Sequence, residues 1–129
     1  LTHAEAKLGY PEVDLGICPA VVAPWLVKKI GAGRARAMLL AGGTMSGTEA
    51  HRAGLTTHLV PRDDLETSTA ALAKRLTKGG PKALAATKAW LNELDGSLDD
   101  EAVLRGADIS AELIRGSEAQ ERLSRLFSK

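Results

Sequence analysis

A chain of 129 residues has the length of one domain, and 44% apolar with 26% charged residues is the balance of an ordinary globular protein. A net charge of +1 gives no electrostatic case for a nucleic-acid partner or an anionic membrane surface. No apolar run approaches the roughly 20 residues of a membrane span, so no membrane partner is expected either. The single Cys18 excludes an internal disulfide and suits a reducing compartment, which makes a cytoplasmic location the expectation. Aromatic residues are scarce at 3%, so the core has to be aliphatic. The chain opens LTHAEAK, with neither an initiator Met nor a signal-peptide pattern, and reads as a cut piece of something longer.

In chain order, Leu1 to Leu8 is expected to hold a short strand ending at Gly9. Three prolines and two glycines between Leu8 and Trp25 forbid a regular element through the middle of that stretch. What remains is a turn at Tyr10-Pro11, a second extended piece from Val13 to Leu15, and a loop from Gly16. Val21, Val22, Trp25, Leu26 and Ile30 fall at helical spacing, and Pro24 suits only a first turn. This predicts a helix from about Ala23 to Ile30, closed by Gly31. A second helix, from about Gly33 to Leu40, stops at Gly42-Gly43.

Ser46-Gly47-Thr48-Glu49 is a capping box, with Ser46 accepting from the Glu49 amide while Glu49 reaches back. It starts a short helix ending at Gly54. Leu55 to Val60 alternates as a strand does, and Pro61 ends it. Asp63 or Asp64 then caps a helix through about Thr77. Gly79-Gly80 breaks it, and Pro81 takes the first position of the next, to about Leu94. Asp95-Gly96 turns the chain, and Ser97 with Asp100 starts a long helix from Leu98 to Ile114. Gly116 ends that helix, and Ser117 caps the last one, Glu118 to Phe127. On this reading Leu98, Val103, Leu104, Ile109, Leu113, Leu123 and Leu126 form core and interface.

Chemistry has to come from Leu8 to Trp25. Glu12 is the carboxylate beside a rigid turn and among apolar neighbours, and Asp14 shares its face if the piece is a strand. A carboxyl group in an apolar wall binds its proton more tightly, because the charged form loses hydration. Such a group works as a general acid near neutral pH, whereas a turn glutamate in solvent does not. Cys18 has no base beside it and reads as a small apolar filler. His3, His51 and His58 lack metal-ligand spacing, and His51 is expected on the outer part of its helix. The glycines at 31, 33, 42 and 43 read as helix stops rather than a phosphate loop.

PEVDLGICP, Pro11 to Pro19, resembles the Pro-Glu-x-x-Leu-Gly-x-x-Pro signature of the enoyl-CoA hydratase/isomerase (crotonase) superfamily. The resemblance continues in order through Ile30-Gly31 with Ala35 to Leu40, then GGTMSGTEAHRAGLTTHLVP from Gly42, Thr87-Lys88 and the closing SEAQERLSRLF. It covers essentially the whole chain, yet only the second half of a typical member. It implies an α/β crotonase-like fold, of which this C-terminal half is mostly α-helical with two or three short strands. Residues 1–63 would be the C-terminal part of the core, and 64–129 the helical C-terminal or trimerisation region.

The resemblance also implies a chemistry. Glu12 would give or take the proton at the α-carbon of an acyl-CoA, while the oxyanion hole and a second glutamate lie upstream of Leu1. The substrate would be an acyl-CoA thioester, with coenzyme A as part of it and no further cofactor or metal. The partners would be copies of the same chain, as a trimer or a dimer of trimers. Gly16, Pro19, Ala20 and Val21 match the substrate-binding loop, where typical members have Pro-Gly-x-Gly-Gly. Here Pro19-Ala20-Val21-Val22-Ala23-Pro24 replaces those glycines, as in hydratases of branched or carboxylated acyl-CoAs such as methylglutaconyl-CoA. Lys129 matches a lysine that helps hold the adenine nucleotide, and Arg122 stands where many members have glycine. The implied reaction is addition of water to a 2-enoyl-CoA. Its rivals are a Δ3,Δ2-enoyl-CoA isomerase and a catalytically incomplete assembly module.

Overall fold

The computed structural model describes residues 1–97 and 99–128. In chain order the elements are β1 (Lys7–Gly9), a 3-10 turn (Val13–Leu15), α1 (Ala23–Ile30), α2 (Ala32–Ala41), β2 (Thr44–Ser46) and α3 (Gly47–Arg52). A second 3-10 turn (Arg62–Asp64) follows, then α4 (Leu65–Leu76), α5 (Pro81–Leu94), α6 (Asp100–Arg115) and α7 (Ser117–Phe127). The chain divides into two compact units. One comprises Lys7–Met45 with Asp100–Lys129, and the other comprises Leu1–Ala6 with Ser46–Asp99.

In the unit containing Glu12, β1 pairs with β2. A side chain at Gly9 would strike the Gly43 carbonyl and come within 2.7 Å of the Thr44 Cα, so only glycine allows this approach. The α1–α2 hairpin turns through Gly31, as the Pro24 and glycine punctuation predicts. Leu26 is 2% exposed, and Ala35 and Leu39 of α2 are buried. Burying one leucine side chain stabilises by about 1.5–3 kcal/mol, so the hairpin holds itself together through few, well-placed residues. Helix α6 lies on the loop at Ala20, where a Cβ on the buried Gly106 would sit 2.8 Å from the Ala20 carbonyl oxygen.

Val13 to Leu15 is not extended. Pro11 fixes its own φ, Glu12 is helical (φ −58°, ψ −41°), and the carbonyls of Pro11, Glu12 and Val13 accept from Asp14, Leu15 and Gly16. Asp14 therefore does not share Glu12's face by strand alternation. Helix α7 starts at Ser117 itself. Gly116 occupies the cap position, and no side chain caps the helix.

In the other unit, Ser46 and Glu49 form the predicted capping box at α3, with Glu49 N–H donating to Ser46 Oγ at 3.2 Å and Ser46 N–H to Glu49 Oε2 at 2.7 Å. Leu55 to Val60 is not a strand. Its one sheet-like contact is a parallel bridge between Leu59 and Thr2, because the alternation finds no longer partner. Asp64 takes the cap position of α4 without a side-chain cap; its carbonyl accepts from Thr67 Oγ1 at 3.1 Å instead. Helix α5 has the predicted bounds, with Pro81 in its first turn. Trp90, Leu91 and Leu94 on α5 are 58%, 54% and 64% exposed. Helix α6 is described from Asp100, and ahead of it the Ser97 hydroxyl and amide both donate to Asp95 Oδ1. Leu98 lies outside the described residues.

Candidate active site

Glu12 stands at the mouth of the first 3-10 turn, and its backbone is held on the far side as well. Its carbonyl accepts from Leu15 N–H at 3.0 Å and from Ile17 N–H at 2.9 Å. The residue is half-buried, and its Oε2 is shielded from solvent with no hydrogen-bond partner among the described residues. A buried polar atom without a partner carries the desolvation cost of that group, about 1–3 kcal/mol. Burial pushes the nearby Tyr10 hydroxyl above its ordinary range, and the Glu12 charge adds to the shift. Tyr10 is therefore a neutral neighbour at physiological pH.

Asp14 points to a different task. Its Oδ2 accepts from Gly43 N–H at 2.7 Å. A Cβ at Gly42, whose φ is +66°, would lie 2.7 Å from Asp14 Oδ1, so space and backbone conformation both demand glycine there. The exit of the turn rests on α7. Gly16 has φ +71°, and a Cβ there would meet Arg122 Cδ and Glu118 Cγ at 3.2 Å.

The expected substrate-binding residues follow directly. Pro19 and Ala20 are buried, and the Pro19 carbonyl accepts from Ala23 N–H at 2.9 Å. Val21 is 48% exposed. The loop is tied to α6 by Ser110 Oγ, which donates to the Cys18 carbonyl at 3.2 Å. Gly16, Pro19, Ala20 and Val21 thus continue the segment that carries Glu12, whereas Lys129 lies outside the described residues. His51 is half-buried and donates from Nδ1 to the Thr56 carbonyl at 3.1 Å, so it closes a turn rather than facing solvent.

Sequence reasoning missed Gly106, Ser110 and Arg122 as supports of this loop. A glycine inside an amphipathic helix signals a close backbone approach; the other two carry no local sign. Clefts of about 310 and 230 Å³ are lined by other residues: one by Leu1, His58, Val60, Ser68, Ala71, Leu72 and Arg75, the other by Val27, Ala32, Arg36, Leu39 and Leu40. Among the described residues no three His, Cys, Asp or Glu side chains group to hold a metal ion, and no helix is long and apolar enough to cross a membrane.

The enoyl-CoA hydratase/isomerase profile matches residues 1–122. A probable enoyl-CoA hydratase of Mycobacterium bovis is 35% identical over 100 residues, covering 77% of this chain and 39% of that protein. A mitochondrial Δ(3,5)-Δ(2,4)-dienoyl-CoA isomerase of Dictyostelium discoideum is 29% identical over 131 residues, covering 100% of this chain and 45% of that one. A crystal structure of an enoyl-CoA hydratase from Mycobacterium avium superposes with a TM-score of 0.83 at 26% identity, over 98% of this chain and 50% of that one. The chain spans less than half the length of the curated relatives it matches here.

Proposed function

The chain belongs to the enoyl-CoA hydratase/isomerase family, and from that premise we propose that it carries the proton-transfer carboxylate of a 2-enoyl-CoA hydratase. Glu12 is that group. As the oxygen of water bonds to the β-carbon and gives up one proton to the second carboxylate, the π electron pair moves to the α-carbon and takes the proton of Glu12, so that the two carboxyl groups together exchange one proton. The thioester carbonyl accepts developing charge meanwhile, and stabilising that charge requires amides aimed at its oxygen. The observation that carries this reading is the shielded, unpartnered Oε2 of Glu12 on a backbone fixed by hydrogen bonds on both sides.

Gly16, Pro19, Ala20 and Val21 would line the acyl-binding loop. The side chains that replace glycines there narrow it toward a branched or carboxylated acyl group, such as methylglutaconyl-CoA. The chemistry draws on the thioester itself, with coenzyme A part of the substrate and no separate cofactor or metal assigned. A cytoplasmic setting fits the lone Cys18.

On this proposal the chain is the C-terminal part of a complete enzyme, and the second glutamate and the oxyanion hole come from elsewhere in that enzyme. Apolar side chains left open on α5, including Trp90 and Leu94, and separately on α6 at Leu104, support assembly with further chain or with other copies, in a trimer or dimer of trimers. Alone, the 129 residues would then be an inactive assembly module. A second reaction has an observation in its favour: the dienoyl-CoA isomerase of D. discoideum aligns over the whole chain. One acid/base that removes and returns a proton suffices to move a double bond, and Glu12 could serve in that way too.

Crotonyl-CoA tests these readings by the absorbance of its conjugated thioester. The complete protein should bleach it and the 129-residue chain should not. Turnover by the chain alone at the rate of the complete protein would overturn the requirement for outside groups. A complete protein that leaves crotonyl-CoA untouched yet converts a 3-enoyl-CoA would favour the isomerase.

A further inference from the structure

Among the described residues no hydrogen-bond partner holds the shielded Oε2 of Glu12. Its aim has to come from the backbone beneath it. That backbone is gripped two residues further on, at Asp14, by two separate elements. The Asp14 carboxylate accepts from Gly43 N–H at 2.7 Å, and the Asp14 carbonyl accepts from Arg122 Nη1 of α7 at 3.1 Å. Arg122 is itself steadied by Glu118 one turn earlier, with Nε donating to Glu118 Oε1 at 3.1 Å and Nη2 at 3.0 Å from the same oxygen. Ala119 between them is fully buried, and Gly16 gives α7 its close seat on the turn.

We infer that Asp14 and Arg122 are positioning residues that clamp the turn carrying Glu12 and so set the direction of its carboxyl, an inference that rests on Glu12 being the proton carrier. Asp14, Glu118 and Arg122 are all exposed. Exposed polar contacts of this kind add little to global stability, so residues kept only to hold the fold would leave little trace there. A reacting group displaced by an ångström, in contrast, loses up to about a hundredfold in rate. The two roles therefore separate cleanly.

The test compares Arg122→Ala, Asp14→Ala and Arg122→Lys in the complete protein, reading kcat, KM and Tm. The clamp predicts kcat lower by about tenfold or more in both alanine variants, with KM within about twofold of the parent and Tm lower by no more than a few degrees. Arg122→Lys keeps a donor and should recover most of the lost kcat. Glu118→Ala combined with Arg122→Ala should be no slower than Arg122→Ala alone, because both act through one guanidinium. Unchanged kcat in the two alanine variants overturns the inference, as does a kcat loss that merely follows Tm.

Should the parent show no turnover, the reading of Glu12 as proton carrier fails, and the clamp is tested separately. The ¹³C-carboxyl resonance of Glu12, assigned by its loss in Glu12→Gln, should move in Arg122→Ala toward the position of a solvated glutamate. A resonance that stays in place refutes the clamp.

Discussion

Between Tyr10 and Ile17, five backbone amides donate hydrogen bonds, and side chains from distant parts of the chain close on the same turn. Between Pro81 and Leu94 the opposite holds: the helix satisfies its own backbone and leaves Leu84, Trp90, Leu91 and Leu94 open to solvent. One stretch concentrates its hydrogen bonds on the short turn that carries Glu12. The other keeps a surface whose apolar burden makes sense only when something covers it. On the proposed function, local order and exposed area separate the part assigned to chemistry from the part assigned to assembly.

The contrast predicts unequal sensitivity. Gly106→Ala places a methyl group against the Ala20 carbonyl, so it should cost about 1–3 kcal/mol in urea unfolding despite alanine's better helix propensity. Unchanged stability would mean that α6 does not press on the loop. Ser46→Ala removes the cap of α3 and should cost about 1 kcal/mol. The Ser46 amide and hydroxyl hold the Glu49 carboxyl below its ordinary range. That stabilisation is therefore present above the ordinary carboxylate pKa and lost as pH falls through the depressed folded value; the variant keeps the amide, the larger cause, and should shrink this acid limb only in part.

Leu94→Glu, on the open face of α5, should change the stability of the chain by less than about 0.5 kcal/mol. A loss several times larger would show that this face is already covered and erase the contrast. The smallest effect belongs to Tyr10. Its raised pKa means the folded state disfavours the phenolate, so stability should fall as pH rises past about 10. Tyr10→Phe should remove that alkaline loss.

Much of this was legible in advance, for identifiable reasons. Pro24 and Gly31 bracket α1, Pro81 opens α5, and the Ser46–Glu49 spacing allows one local structure; punctuation of this kind acts within a few residues. The turn after Pro11 was harder. Three residues, Val13 to Leu15, are too few to display a period, and a 3-10 turn and a strand fit them equally. Leu55 to Val60 shows real alternation, but a strand exists only with a neighbour to pair with, and only Leu59 finds one. The bonds that complete the site span 29, 92 and 108 positions of sequence. No local pattern encodes them. Glu12 stands out in the sequence only through the resemblance carried by Pro11 to Pro19, since a proline-set turn by itself suits a solvated glutamate equally.

The central claim is that Glu12 moves the proton at the α-carbon, and solvent isotope reports on that step directly. In the complete protein, incorporation of deuterium from heavy water at the α-carbon of the product is to be compared between the parent and Glu12→Gln. The account predicts incorporation slower by about two to four orders of magnitude in the variant. Incorporation at the parent's rate would contradict it.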